Sequence, residues 1–380
     1  MKKLYWRPQG VSRAALLLIT LVAVLAFSAV RMFPQVKKQP WYNEKLAAAR
    51  LSRDCMSAIK QEKIKRAIVI DKRMDPAETG MIGASITPVT SNTGYIDAKL
   101  TSTNPNFAAV LVHLLKKAGV EKGDVVAVGV SGSFPALNTS AFAALQTLGA
   151  NPIVVASAAS SEFGANNVGY VWLDMESTLR EKKLIGFHSS AASVGGIDDR
   201  GVGMSDTGRA LLEEAISRNG VQALESNSLA ESIDKRMEVY DRVAGDRPIR
   251  AYINVGGGSA SVGTHVGKKQ FKPGLNLRAP RGEDLEDSVM LRFAKREIPV
   301  IHMSRIKLLA EKFGLPVEQN VEIPVGQGEV YERAEPNRWL AGAGVIAILL
   351  AMFAFIRMDF GVRVLRAAPR KAGGHPEQMV

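Results

Sequence analysis

The sequence predicts an α/β fold: a mainly parallel sheet with helices on both faces, read as one body or as two lobes divided near 175–250, flanked by an N-terminal and a C-terminal transmembrane helix. Three observations predict it. Short apolar runs such as VVAVGV (125–130) and PIVVAS (152–157) alternate with capped helical segments, as strands buried on both sides alternate with crossover helices. Glycine-rich turns follow the runs that end near 130 and 255. Two uncharged apolar runs, AALLLITLVAVLAFSAV (14–30) and WLAGAGVIAILLAMFAFI (339–356), bracket everything else.

In chain order, residues 1–13 are a basic tail and 14–30 the first span, near the ~20 residues that cross a bilayer's hydrocarbon core. A cleaved signal peptide, with Ala26-Phe27-Ser28 near the cut, is the rival reading of this run. Residues 31–66 read as a helical stalk, because Leu46, Ala49, Met56 and Ile59 recur near the helical period from 40 to 66. The body is placed at 67–335. In it, AIVI (67–70) reads as a buried strand, and 75–107 as short extended pieces broken by Pro88. Asn104, Pro105, Lys116, Lys117 and Gly119 mark the ends of a helix over 104–120. Helix 135–148, closed by Gly149, links strands 125–130 and 152–157 as a right-handed crossover. VGYVWLDM (168–175), IRAYINV (249–255) and REIPVIHM (296–303) read as further strands, and 205–221 and 304–316 as further helices. The second span, 339–356, precedes a basic tail, 357–380.

The formal net charge is +12. More than half of the excess lies in the two tails, which carry Lys2, Lys3, Arg7 and Arg13 at one end and Arg357, Arg363, Arg366, Arg370 and Lys371 at the other. The positive-inside rule then puts both termini in the cytoplasm and the body outside the cytoplasmic membrane, facing the periplasm or exterior. No basic stripe interleaved with aromatics argues for nucleic acid. Cys55 is the single cysteine, so an intrachain disulfide and a thiolate cluster are excluded. No zinc-type spacing occurs, and neither a metal nor a cofactor is expected.

Two glycine loops are the best candidates for a site. In VGVSGSFPALN, Gly129, Ser131, Gly132 and Ser133 lie between a strand and a helix, where backbone N–H groups suit an anion. The run Gly129-Val130-Ser131-Gly132-Ser133 fails the esterase elbow at its last place, so Ser131 and Ser133 are weaker as nucleophiles than as donors. In INVGGGSASVGTH, Gly256, Gly257, Gly258, Ser259 and Ser261 form the second loop. Gly258 and Gly263 have the phosphate-loop spacing, but Thr264-His265 stand where Lys-Ser/Thr is required, which argues against an ATPase and leaves a backbone nest. His265 offers a general base. His188 and Asp198 offer the types for a triad with a serine. Asp174 and Glu176, read at a strand end, offer a carboxylate pair for acid–base work or a cation, against a capping role.

DPAETGMIGASITPVT, AKLTSTNPNFAAVLV, GDVVAVGVSGSFPALN, FGANN, WLDMES and GGIDDRGVGMSDTGR resemble the poly-γ-glutamate system protein family over roughly 40–330. These are bacterial membrane proteins associated with the ligase and membrane subunits that make and export this capsule polymer at the cell envelope. The resemblance implies those subunits, the polymer and the lipid bilayer as partners, and transfers no catalytic residue. The polymer carries a carboxylate on every unit, so the two loops, with Arg200, Arg209 and Lys268, become candidates for carboxylate capture. Two classes of function compete: a non-catalytic accessory subunit that guides the polymer, and an outward-facing hydrolase or transferase that trims or releases it.

Overall fold

The computed structural model describes residues 13–256, 258–264, 266–317 and 320–358. The chain divides into two compact units, 38–332 and the pair of segments formed by the two ends.

The larger unit is built on a seven-stranded sheet. Its strands are β1 (Val125–Ser131), β2 (Asn151–Ser157), β3 (Ser189–Ser193), β4 (Gln222–Ala223), β5 (Ile249–Val255), β6 (Gly274–Asn276) and β7 (Val300–Met303), in the order β6-β7-β5-β1-β2-β3-β4. Every pairing is parallel except that of the edge strand β6 with β7. Alternate side chains of β1 serve opposite faces: Val126, Val128 and Val130 join one core with Leu111, Phe142 and Trp172. Val125 and Ala127 join another with Tyr240, Tyr252 and Phe293. All of β1 is buried, which is why the run carries no charge.

The first end segment contains α1 (Arg13–Met32). The first face of the sheet is covered by α2 (Tyr42–Lys65), α4 (Phe107–Lys117), α5 (Pro135–Leu148), α6 (Trp172–Glu181) and α7 (Asp206–Arg218). The short helix α3 (Ile96–Ser102) precedes α4. The second face is covered by α8 (Leu229–Ala244), α9 (Ser259–Val262) and α11 (Val289–Lys295), with α10 (Gly267–Gln270) between the last two. Helix α12 (Ile306–Lys312) returns to the first face. Helices α4, α5, α7 and α12 fall where capping residues and period predict. Gly149 ends α5 at φ 63°, a conformation that costs glycine least.

Several expectations are corrected. The division near 175–250 does not exist in the sheet, because β5, which follows it, hydrogen-bonds β1, which precedes it. Helix α2 is not a stalk: Ala48, Ala49, Ser52, Cys55, Met56 and Ile59 are buried, and Ser52 bonds Ser140 of α5 at 3.1 Å. AIVI forms no strand, and Val69 is exposed. WLDMES is helix α6, preceded only by the two-residue strand Tyr170–Val171. Asp174 caps the helix start there by accepting from Val171 N–H at 2.8 Å. SSAAS, a stretch in which no strand was expected, is β3. Helices α3, α8 and α11 lie in stretches where no helix was expected.

The smaller unit contains α1 and α13 (Arg338–Met358). They pack together, and a Cβ on Gly344 would lie 2.8 Å from Ala26 Cβ. Lys37 pairs Glu335 at 3.4 Å. Among the described residues only Arg338–Phe355 is long and apolar enough to cross a membrane, and Leu16–Met32 is a shorter apolar helix.

Candidate functional site at the sheet switch point

From β1 the chain winds outward through β2, β3 and β4, then crosses back to lay β5 on the other side of β1. The winding direction therefore reverses between β1 and β5. In open α/β sheets the crevice beyond the carboxyl ends of strands at such a reversal is the usual ligand site. Both glycine loops leave the sheet there, with Gly132 and Ser133 after β1 and Gly256 and Gly258 after β5.

The two loops are in contact. A Cβ on Gly256, which has φ 90°, would lie 2.3 Å from Ser131 Oγ, and one on Gly258 would lie 2.8 Å from Ser157 Oγ. Register aligns Ser131 with Ser157 and Ser157 with Ser193, so three strand-ending serines form a row along the carboxyl edge. Behind it, Gly129 is a packing position inside the sheet rather than part of a cradle: it pairs with Val155 and Asn254. A Cβ there would lie 2.3 Å from Tyr252 Oη and 3.0 Å from Ser261 Oγ. Tyr252 stacks on Phe293 at 4.8 Å between centroids and is fully buried, so it has little room to move. Gly129→Ala is expected to destabilise the body by ~1–3 kcal/mol through overpacking. The midpoint of urea unfolding measures this, and an unchanged midpoint refutes the packing role.

The amides are largely committed within the protein. Gly132 N–H reaches the carbonyls of Ser157 and Ala159, each at 3.2 Å. Ser133 N–H points to Ser131 Oγ at a long 3.4 Å, while Ser133 Oγ accepts from Ser161 N–H at 3.1 Å. Ser259 Oγ donates to the carbonyl of Gly196 at 2.9 Å. Gly257 and His265 lie outside the described residues.

Two lysines lie near this edge, one of them bonded to the first loop. Lys99 of α3 is buried; its ammonium donates to the Ser133 carbonyl and, at 2.8 Å, to Ser161 Oγ, and lies 4.3 Å from the Phe134 ring centroid. Burial first and nearby Lys268 second, opposed by Glu162, lower its pKa to about 7. Exposed Lys268 on α10 has its own pKa lowered by partial desolvation. Among the described residues neither lysine forms an ion pair. Buried His302, bonded through Nδ1 to Asn254 at 3.1 Å, is pushed down to about 3 by burial and then by Lys268.

Along the same edge of the sheet, buried Asp199 and Arg236 tie the strands together. Asp199 Oδ1 accepts from Ser157 at 3.2 Å and Ser193 at 2.8 Å, Ser232 donates to Oδ2, and Arg236 Nε reaches Oδ2 at 2.9 Å. Asp198 and Asp199 both hold positive φ, 54° and 61°, so the loop over the edge is held in a conformation unusual for non-glycine residues.

The remaining candidates are not brought together. Exposed His188 stands just before β3, at the end opposite the serines and roughly 16 Å away at ~3.3 Å per residue, so no triad with Asp198 forms. Asp174 pairs Arg218 at 2.8 Å, and buried Glu176 accepts from Ser189 Oγ at 2.7 Å; both hold α6 in place. Arg200 donates to the Asn227 carbonyl at 2.8 Å, and Arg209 pairs Asp206; no bond joins either to the glycine loops. Burial pushes the Cys55 thiol up to about 12, which removes it as a nucleophile. Lys99, Ser161, Ser157, Ser193 and Arg236 went unmarked in the sequence, because an isolated lysine or serine carries no spacing signal.

Comparison with protein-family models, with curated proteins and with solved structures finds no match.

Proposed function

We propose that this chain is a membrane-anchored accessory subunit of a poly-γ-glutamate synthesis and export system, which handles the anionic polymer outside the cytoplasmic membrane. The observation that carries the anion-handling part is the pair Lys99 and Lys268. They stand within electrostatic range of one another at the switch point, and among the described residues no ion pair neutralises either. A lysine bonded to a carbonyl and a hydroxyl, with no carboxylate in direct contact, gains from an incoming carboxylate in a partly desolvated place. The two glycine loops border it, and the apolar helix α13 supports a tether. The polymer and its machinery come from the resemblance of the motifs quoted above. The basic tails, on the positive-inside rule, support placing both termini in the cytoplasm.

Calorimetric titration of the full chain in detergent with poly-γ-glutamate tests this. Binding is expected at low ionic strength, weakening as salt screens the charges. Lys268→Glu is expected to weaken it at least tenfold. Binding is also expected to tighten as pH falls through about 7, where Lys99 takes up its proton. No heat of binding at low salt, or an unchanged affinity in Lys268→Glu, would overturn the reading.

A further inference from the structure

Three buried lysines lie in the body, and one differs from the others. Lys45 and Lys63 donate to backbone carbonyls, those of Val330 at 2.7 Å and Ile82 at 3.4 Å, and each lies in the field of a carboxylate, Glu44 and Asp75 respectively. Lys99 reaches a carbonyl and also a hydroxyl, Ser161 Oγ at 2.8 Å. Neither Ser131 nor Ser133 has an amine or imidazole on its hydroxyl among the described residues. Ser133, Phe134 and Glu162, which flank the Lys99–Ser161 pair, are half-buried, so the pair lies just beneath the surface at the carboxyl edge of the sheet. Phe163, two residues beyond Ser161, holds φ 61°, an uncommon conformation of the kind that clusters at functional sites.

We propose that Ser161 is a nucleophile and Lys99 its general base, and that the pair performs acyl transfer on an amide or ester carbonyl of an acidic chain. The acidic character of the substrate rests on the anion reading above; the nucleophile and base do not. With Lys99 neutral, the hydrogen bond reverses and Ser161 O–H donates to Nζ. Ser161 Oγ then bonds the carbonyl carbon while its proton passes to Lys99. The carbon–nitrogen or carbon–oxygen bond breaks, and the leaving group takes that proton. Water next gives a proton to Lys99 and its oxygen to the acyl carbon. The Oγ–carbon bond breaks, and Ser161 recovers its proton from Lys99. Ser–Lys pairs are an established variant of the hydroxyl–base arrangement. Because burial holds Lys99 near 7, a large fraction of it is a free amine at neutral pH.

The test uses the full chain in detergent with a fluorophosphonate probe, read by intact mass and peptide mapping from pH 5 to 9. A single adduct on Ser161 is expected, its rate rising with pH to a half-maximum near 7. Ser161→Ala abolishes it, and Lys99→Met slows it at least 100-fold with the fold confirmed by circular dichroism. Should Lys99→Met not fold, Lys99→Arg, which keeps the cation and cannot serve as base, is expected to give the same loss. No adduct on Ser161, an adduct on another serine, or a rate indifferent to Lys99 would overturn the proposal. Polyglutamate is expected to protect Ser161. Labelling without protection would overturn the acidic substrate class while leaving the pair itself standing.

Discussion

Arg236→Met is expected to cost about 3–5 kcal/mol of folding stability, because it strands Asp199 as an uncompensated charge in the interior. Both side chains are essentially inaccessible to solvent. Arg236 also donates to Ser193 Oγ at 2.6 Å and Ser157 Oγ at 2.9 Å, so its loss unpins β2, β3 and α8 together. Asp199→Asn combined with Arg236→Met is expected to recover part of the loss, since the neutral amide costs less to bury than the carboxylate. Urea unfolding of the single and double variants measures this. If the single variant lost under 1 kcal/mol, the pair would not be the clamp described here.

Glu176→Gln is expected to change the pH dependence of stability by an amount on the order of 3 kcal/mol, from the separation between a folded pKa of about 7 and the ordinary glutamate value of 4.5. Glu176 is fully buried; desolvation raises its pKa, and the bonds from Ser189 lower it less than burial raises it. The folded state thus holds the proton longer than the unfolded chain. The stabilisation is present below about 4.5, declines as pH rises from 4.5 to 7, and is absent above that. His113 and His302, lowered to about 4 and about 3 chiefly by burial, bind protons less readily folded than unfolded and so act in the opposite direction below 6.5. The wild-type profile is therefore composite, and the difference between wild type and Glu176→Gln isolates the glutamate. That difference should grow in favour of glutamine from pH 4.5 to 7, with Ser189 still bonded by the amide. A difference that stays flat with pH would show that Glu176 titrates normally.

Much of the scaffold was legible because local chemistry decided it. Val125–Ser131 had no charge to leave in water, so it had to be an interior strand. Pro135 and Gly149 marked both ends of α5, and the β1-α5-β2 crossover follows from that succession. Other stretches misled for physical reasons. VGYVWLDM carries β-forming residues, yet Trp172 and Leu173 sit on the buried face of α6, where Asp174 caps the first turn; the cap outweighed the propensity. SSAAS has weak strand character, but between β2 and β4 small side chains fit a crowded sheet, and tertiary packing overrode propensity. Helix α8 did carry a readable start, because Ser228 accepts from Glu231 N–H at 3.2 Å and Glu231 stands at the capping-box position.

Sequence alone determined where the apolar runs, the strand-to-helix turns and both glycine loops lie, because each depends on residues adjacent in the chain. Only the tertiary structure decided that the two loops meet, since that depends on β5 crossing back to pair with β1 across more than a hundred residues. It also decided that Gly132 has already spent its amide on Ser157 and Ala159, that Asp199 finds Arg236, and that Lys99 finds Ser161. Burial and charge at that edge are properties of side chains brought together from distant segments, and no local spacing encodes them.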